Sequence, residues 1–374
     1  MPIGLYIHVP FCLSKCPYCD FYSLPLASDD SLLDRYTAAV EQALDRWSDR
    51  LRTPADTLYF GGGTPSLLGG ARLTRLLDRA RERFSLDGAE ITLEANPADA
   101  EEAGPLAETL RAFAGAGGNR LSLGMQSGSE AELRRLGRRH GASAVCRAVD
   151  AARRAGIANI SLDLMLAVEG QDAVSVRRSV SLCRELGAEH VSAYLLKIEE
   201  NTPFGRRRDA LALPDEDEAA SLYLTACETL EEHGFRQYEI SNFAHPGRES
   251  RHNLKYWTGA PYLGIGPAAH SCVGGQRFAY PRDLAAFLAG RDPRPEAEGE
   301  IRAESPEEYL LLRLRLTEGL TERAYTARFG TSIPKIWRDR AASLPPRLIA
   351  CDAQGIRLTR EGFLVSNVIL AELL

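Results

Sequence analysis

The chain has 374 residues, room for two or three domains, and its 44% hydrophobic and 26% charged content is that of a soluble globular protein. Its 51 acidic residues against 45 basic ones leave a net charge of −6, which argues against nucleic acid as a partner. No apolar stretch reaches the roughly 20 residues that span a bilayer. The first strand-like run starts at Ile3 with no leader before it, so a cytoplasmic setting is expected. Disulfides are disfavoured there, and clustered cysteines among the eight point to metal or redox chemistry.

Apolar runs of strand length lie at 3–9, 57–62, 90–96, 120–126, 159–165 and 190–198, with helical periodicity between them, as at 31–47 and 71–84. The repeat of about 30 residues predicts βα units and a parallel sheet. Six units predict an α/β fold, a partial (β/α)6 TIM-like barrel over 1–240, with the chemistry on loops at the strand C-terminal ends. A helix is expected at 215–234, and "GRRRD" (205–209) reads as a solvated loop. Residues 241–290 read as a connecting segment rich in Gly, His and aromatics, and 291–308, rich in Pro and Glu, as a linker. Over 309–374, helices, a hairpin and a closing helix predict a small α+β winged-helix-like domain. It has no basic recognition stripe, so structural packing is expected of it rather than DNA binding.

Cys12, Cys16 and Cys19 follow the first strand as C-x3-C-x2-C, while the other five cysteines are scattered and read as small core residues. Thiolates select zinc, copper(I) or iron–sulfur clusters. Structural zinc normally takes four ligands from two pairs, and no second C-x2-C exists; His8, in the strand before, is the nearest fourth candidate. A 4Fe–4S cluster needs one ligand per iron, so three cysteines would leave one iron open. "YFGGGTPSLL" (59–68) places consecutive glycines where backbone N–H groups could converge on an anion, or simply make a tight strand-to-helix turn. Glu94, Gln126 and Asp163 stand at strand ends, where carboxylates suit ribose hydroxyls, although each could equally be a cap or a core hydrogen-bonder.

His252, Asn253, Tyr256 and Trp257 combine an imidazole with aromatics, a set that can ligate and stack on a porphyrin. The bland alternative makes Tyr256 and Trp257 a buried anchor and His252 a surface donor; His270 is a second haem candidate. No C-x-x-C-H is present, so thioether attachment is excluded. "GIGPAA" (264–269) fits a dinucleotide fingerprint but carries Pro267 and lacks its acidic partner, so nicotinamide is not expected.

The cysteine loop after the first strand resembles that of the radical S-adenosylmethionine (SAM) superfamily. That resemblance implies a 4Fe–4S cluster on Cys12, Cys16 and Cys19, with SAM on the open iron and reductive cleavage to a 5′-deoxyadenosyl radical. The ordered segments "LYIHVPFC", "GGGTPS", "LEANP", "GMQS", "RRLGRRH", "DLM", "NTPFG", "QYEISNFA", "RHNLKYW" and "YLGIGPAAHS" are similar to the oxygen-independent coproporphyrinogen III oxidase family, from Leu5 to about residue 370. The likeness implies SAM contacts at Tyr6, Tyr18, Gly62, Gly63, Thr64, Glu94, Gln126, Arg138, Asp163 and Ile265.

Two departures separate the chain from the oxidase: Phe21 stands where that pattern has a further cysteine, and no N-terminal arm precedes the first strand. Both resemble the HemW branch, which implies haem as ligand, haem-accepting proteins and an electron donor as partners, and haem contacts at His252, Asn253, Tyr256 and Trp257. The alternative is a radical SAM enzyme acting on a porphyrinogen or another substrate. A third departure lies after "DLM", where the family has Gly-Leu-Pro-Gly-Gln and this chain has "LAVEGQD" (166–172), which leaves that loop's geometry in question. Nothing in the chain requires a membrane, and contact with one through a partner stays open.

Overall fold

The computed structural model describes residues 1–26, 30–100, 105–296 and 301–374. The six apolar runs form strands β1 (Ile3–Val9), β2 (Ala55–Gly62), β3 (Glu90–Ala95), β4 (Arg120–Gln126), β5 (Asn159–Leu166) and β6 (His190–Leu195). They pair in parallel and in chain order. Between them run helices α1 (Asp30–Leu51), α2 (Gly69–Phe84), α3 (Pro105–Gly115), α4 (Ala142–Arg154) and α5 (Ala173–Glu185). Helix α6 (Glu216–Glu232) follows β6, its start fixed by a capping box between Asp215 and Glu218. The expected partial barrel is therefore present.

The sheet is wider than six strands. After helix α7 (Arg251–Thr258), strand β7 (Tyr262–Ile265) lies parallel along the free side of β1, with Ile265 opposite Ile7. His270–Val273 and Gln276–Ala279 extend that edge antiparallel. Asn242–Ala244 covers the other edge, against β6. Four residues carry too little periodicity to announce β7 in the sequence.

Successive strand side chains point to opposite faces. In β1 the alternate residues Ile3, Leu5, Ile7 and Val9 are buried in the main core, which gathers the outward strand residues and the inner faces of the helices. Each such aliphatic side chain contributes about 1.5–3 kcal/mol when fully buried. The inward positions are of another kind: Tyr6 and His8, Thr57 and Tyr59, Thr92 and Glu94, Arg120 and Ser122, Ser161 and Asp163, His190 and Ser192. A closed eightfold barrel fills this space with branched aliphatics; here it is lined by polar groups.

In the C-terminal part, Leu320–Thr321, Ile349–Asp352 and Gly355–Leu358 form an antiparallel sheet among short helices, over a separate core that includes Tyr309, Leu310, Trp337, Phe363 and Leu370. It joins the barrel through Ile240 N–H to Arg315 carbonyl (2.9 Å) and Thr317 N–H to Tyr238 carbonyl (3.1 Å), across the buried Glu239. Of the expected linker 291–308, residues 297–300 lie outside the described residues. The "LAVEGQD" loop keeps a sharp turn: Ala167, where the family pattern has Gly, sits at φ +59° and Gly170 at +68°. Gln171 then donates to Glu132 (2.9 Å) and to the Met165 carbonyl (3.1 Å), which anchors the loop.

Candidate cofactor site

The cysteine loop leaves β1 at its C-terminal end, and a turn from Cys19 N–H to Cys16 carbonyl (3.1 Å) holds its tip. All three thiols are unpaired and half-buried, and Phe21 beside them is 66% exposed. Among the described residues, no three His, Cys, Asp or Glu side chains converge as a single metal ion would require. Three unpaired thiols on one loop suit a cluster that takes one thiolate per iron. His8 is no fourth ligand in this arrangement: its Nδ1 meets Tyr6 hydroxyl (3.1 Å) and its Nε2 the Tyr22 carbonyl (2.8 Å).

The glycine loop corrects one expectation. Its N–H groups do not converge on a common point: Gly62 donates to Glu94 (3.1 Å), Gly63 to the Val9 carbonyl (2.8 Å) and Thr64 to the Phe11 carbonyl (2.7 Å). The glycines serve close approach. A Cβ on Gly62, at φ +106°, would lie 2.5 Å from the His8 ring, and one on Gly63 would lie 2.5 Å from the Phe11 carbonyl oxygen. The loop thus straps the cysteine loop to β2, and Thr64 Oγ1 reaches Cys12 Sγ at 3.7 Å.

Glu94 accepts from Tyr59 hydroxyl (2.8 Å) as well as from Gly62, and burial pushes its carboxyl up to about 7. Asp163 is raised by burial too, with Ser122 Oγ at 3.3 Å. Gln126 ends β4 at φ +66°, beyond a register shift in the pairing with β5. Arg138 is held by the Gly124 carbonyl (2.8 Å) and Asn96 Oδ1 (3.4 Å), reaches Cys16 Sγ at 3.3 Å, and keeps its Nε buried without a partner. Tyr18 packs against Phe204, ring centroids 6.2 Å apart. Ile265 is buried at the end of β7, beside β1. Of the predicted SAM residues, Thr64 and Arg138 reach the thiols and Gly62 bonds Glu94, whereas Tyr6 sits deeper, its ring 6.3 Å from that of His252.

Tyr59, Ser122 and Asn96 were missed. Their signal was the alternation of polar residues within otherwise apolar strands, which marks a polar barrel interior.

The residues predicted for haem lie at the opposite end. Helix α7 closes the bottom of the barrel: Glu90, at the start of β3, accepts from Arg251 N–H (3.1 Å) and His252 N–H (3.0 Å), while Lys255 pairs with Asp56 (2.6 Å) at the start of β2. His252 is 1% exposed, so the surface-donor alternative does not hold. Its Nδ1 bonds Thr57 Oγ1 (2.8 Å) and its Nε2 the Tyr256 hydroxyl (2.9 Å). Burial, with Lys255 and Arg120 nearby, lowers its pKa to about 3. Asn253 and Tyr256 are half-buried. Trp257 lines a cavity of about 510 Å³ with Leu311, Leu370, Leu374 and Arg315. His270 is exposed and pairs with Glu296.

Fold and site together define a radical SAM protein: the Radical SAM superfamily model matches residues 6–183, and the HemN C-terminal domain model matches 302–365. Membership implies a 4Fe–4S cluster and SAM. Over its whole length the chain is 38% identical to the heme chaperone HemW of Mycobacterium tuberculosis, covering 95% of that protein. It is 37% identical to the Escherichia coli HemW, over 88% of this chain and 86% of that protein. The chain belongs to the HemW family. Coproporphyrinogen III oxidase (HemN) from E. coli, a radical SAM enzyme, shares the fold with a TM-score of 0.81 at 21% identity, over 100% of this chain and 90% of that one. No helix among the described residues is long and apolar enough to cross a membrane.

Proposed function

We propose that this chain is a haem chaperone that carries a 4Fe–4S cluster on Cys12, Cys16 and Cys19, binds SAM beside it, and passes haem to acceptor proteins. The observation that carries the reading is the full-length likeness to HemW proteins. When bound, cluster and SAM together supply one-electron cleavage of the sulfonium carbon–sulfur bond. Glu94 and Asp163 accept hydrogen bonds from the ribose hydroxyls. Arg138, with its Nε unpartnered, is the cation that meets the SAM carboxylate. The glycine loop offers a floor without side chains for the close approach of the methionyl end.

For haem, Trp257 is the contact residue and His252 a structural pin. Trp257 borders an apolar cavity with Leu311, Leu370 and Leu374, whereas His252 would have to surrender two buried hydrogen bonds to reach iron. An anaerobic assay of reconstituted protein with reductant and SAM tests the whole reading. Stoichiometric haem binding and transfer to an apo-acceptor is the expected result. Rapid 5′-deoxyadenosine release with conversion of coproporphyrinogen to protoporphyrinogen would establish the oxidase reading instead.

A further inference from the structure

We infer that Arg138 donates a hydrogen bond to the thiolate of Cys16 and thereby sets the reduction potential of the cluster that Cys16 holds. The inference rests on the reading of the three cysteines as cluster ligands and adds to it a residue that acts on the cluster from the protein side.

The contact is built by the surrounding chain. Arg138 lies between the short helix Glu130–Arg135 and α4. Gly137 before it turns at φ +67°, and a Cβ there would sit 2.8 Å from Pro17 Cδ, so the Arg138 turn and the cysteine loop press directly together. The guanidinium then spans the mouth of the barrel. Nη2 is fixed on the Gly124 carbonyl at 2.8 Å and Nη1 points at Cys16 Sγ, 3.3 Å away. Gly124 leaves the room for it, since a Cβ there would stand 3.0 Å from Nη2. Of the three thiols, only Cys16 has a guanidinium in hydrogen-bonding range among the described residues.

Hydrogen bonds to a cluster's sulfurs and the net charge around it are levers on its potential. Adding an electron increases the negative charge next to the guanidinium, and a charge-assisted bond in a poorly solvated site favours that state. Arg138 therefore raises the potential and makes the cluster easier to reduce. Its Nε, buried without a partner, takes no part in this contact, so the two roles use different nitrogens.

The test is a potentiometric titration of anaerobically reconstituted protein, with dithionite as electron source and the reduced cluster read by electron paramagnetic resonance. SAM is left out, so that loss of a SAM contact does not register. In Arg138→Met, the reduced-to-oxidised ratio at a fixed applied potential is expected to fall about tenfold, or about 59 mV for a one-electron couple. Arg138→Lys, which keeps the charge but not the fork, should fall between. Gly124→Ala should shift the same way by displacing the guanidinium, while Arg139→Met, an exposed neighbour with the same charge change, should move the ratio less than twofold.

A ratio in Arg138→Met within twofold of the parent overturns the inference, as does an equal shift in Arg139→Met. If Arg138→Met assembles no cluster by iron and acid-labile sulfide analysis, Arg138→Lys and Gly124→Ala decide, and an unmoved potential in both overturns it. Absence of a cluster in the unaltered protein is a different outcome: it strikes the ligand reading of Cys12, Cys16 and Cys19 first, and this inference falls with it.

Discussion

Replacing His252 with Ala separates its two roles, because a structural pin and an iron ligand fail differently. The ring fills space beside Tyr59, centroids 5.2 Å apart, and Tyr6, 6.3 Å apart, and it satisfies both Thr57 and Tyr256. Losing a buried ring costs about 2–5 kcal/mol through lost contacts and the cavity left behind. Each buried hydroxyl stripped of its partner costs about 1–3 kcal/mol more. The two hydroxyls flank the same vacated space and can share a water there, which holds the sum to about 3–5 kcal/mol. Against a typical total of about 5–15 kcal/mol this is a large loss. Urea unfolding followed by far-ultraviolet circular dichroism should show it as a lower midpoint at unchanged slope, while haem titration of the folded variant should give an affinity within twofold of the parent. An unchanged midpoint together with a lost Soret band would refute the reasoning and make His252 an iron ligand.

Three further outcomes follow from single residues. Burial raises Glu239 to about 7, above its unfolded value near ~4.3, so the fold favours the protonated form and that stabilisation is lost as pH rises through about 7. Glu239→Gln should therefore match the parent in unfolding free energy near about pH 4.5 and exceed it by about 3 kcal/mol near about pH 8. Glu94, also raised to about 7, gives SAM affinity a rise of up to about tenfold between pH 6 and 8 as it ionises, measurable by equilibrium dialysis, and Glu94→Gln should flatten that profile. Ala167→Gly, at φ +59°, should stabilise the protein by about 0.5–1 kcal/mol in the same unfolding assay, since the Cβ strain removed outweighs the added freedom of the unfolded chain.

The strands were legible because their outward residues form apolar runs that no loop would carry. Cys12, Cys16 and Cys19 were legible as one candidate set because their spacing is local to a single loop. What stayed hidden depends on register between strands. That Tyr59 would hold Glu94, or Ser122 face Asp163, requires knowing which residues stand opposite one another. The glycine loop misled for a related reason: its N–H groups are consumed by Val9 and Phe11 carbonyls that come from another part of the chain. The "RHNLKYW" stretch has the same helical spacing whether it lies on the surface or stoppers a barrel, and only the partners Thr57, Asp56 and Glu90 distinguish the two.

The polar lining of the barrel divides each strand into two interleaved texts. Along β1, Ile3, Leu5, Ile7 and Val9 belong to the core outside, while Gly4, Tyr6 and His8 belong to the chamber within. Cohesion is thus carried mainly by one parity, while the other carries the proposed ligand contacts and, at Thr57 and Tyr59, the partners of His252. A saturation scan of these strands should find most variants that do not accumulate at the outward positions, and variants that accumulate without holding their cofactors at inward positions away from the His252 contact. Such a chamber can be rewritten for a new occupant while the staves that enclose it are left untouched.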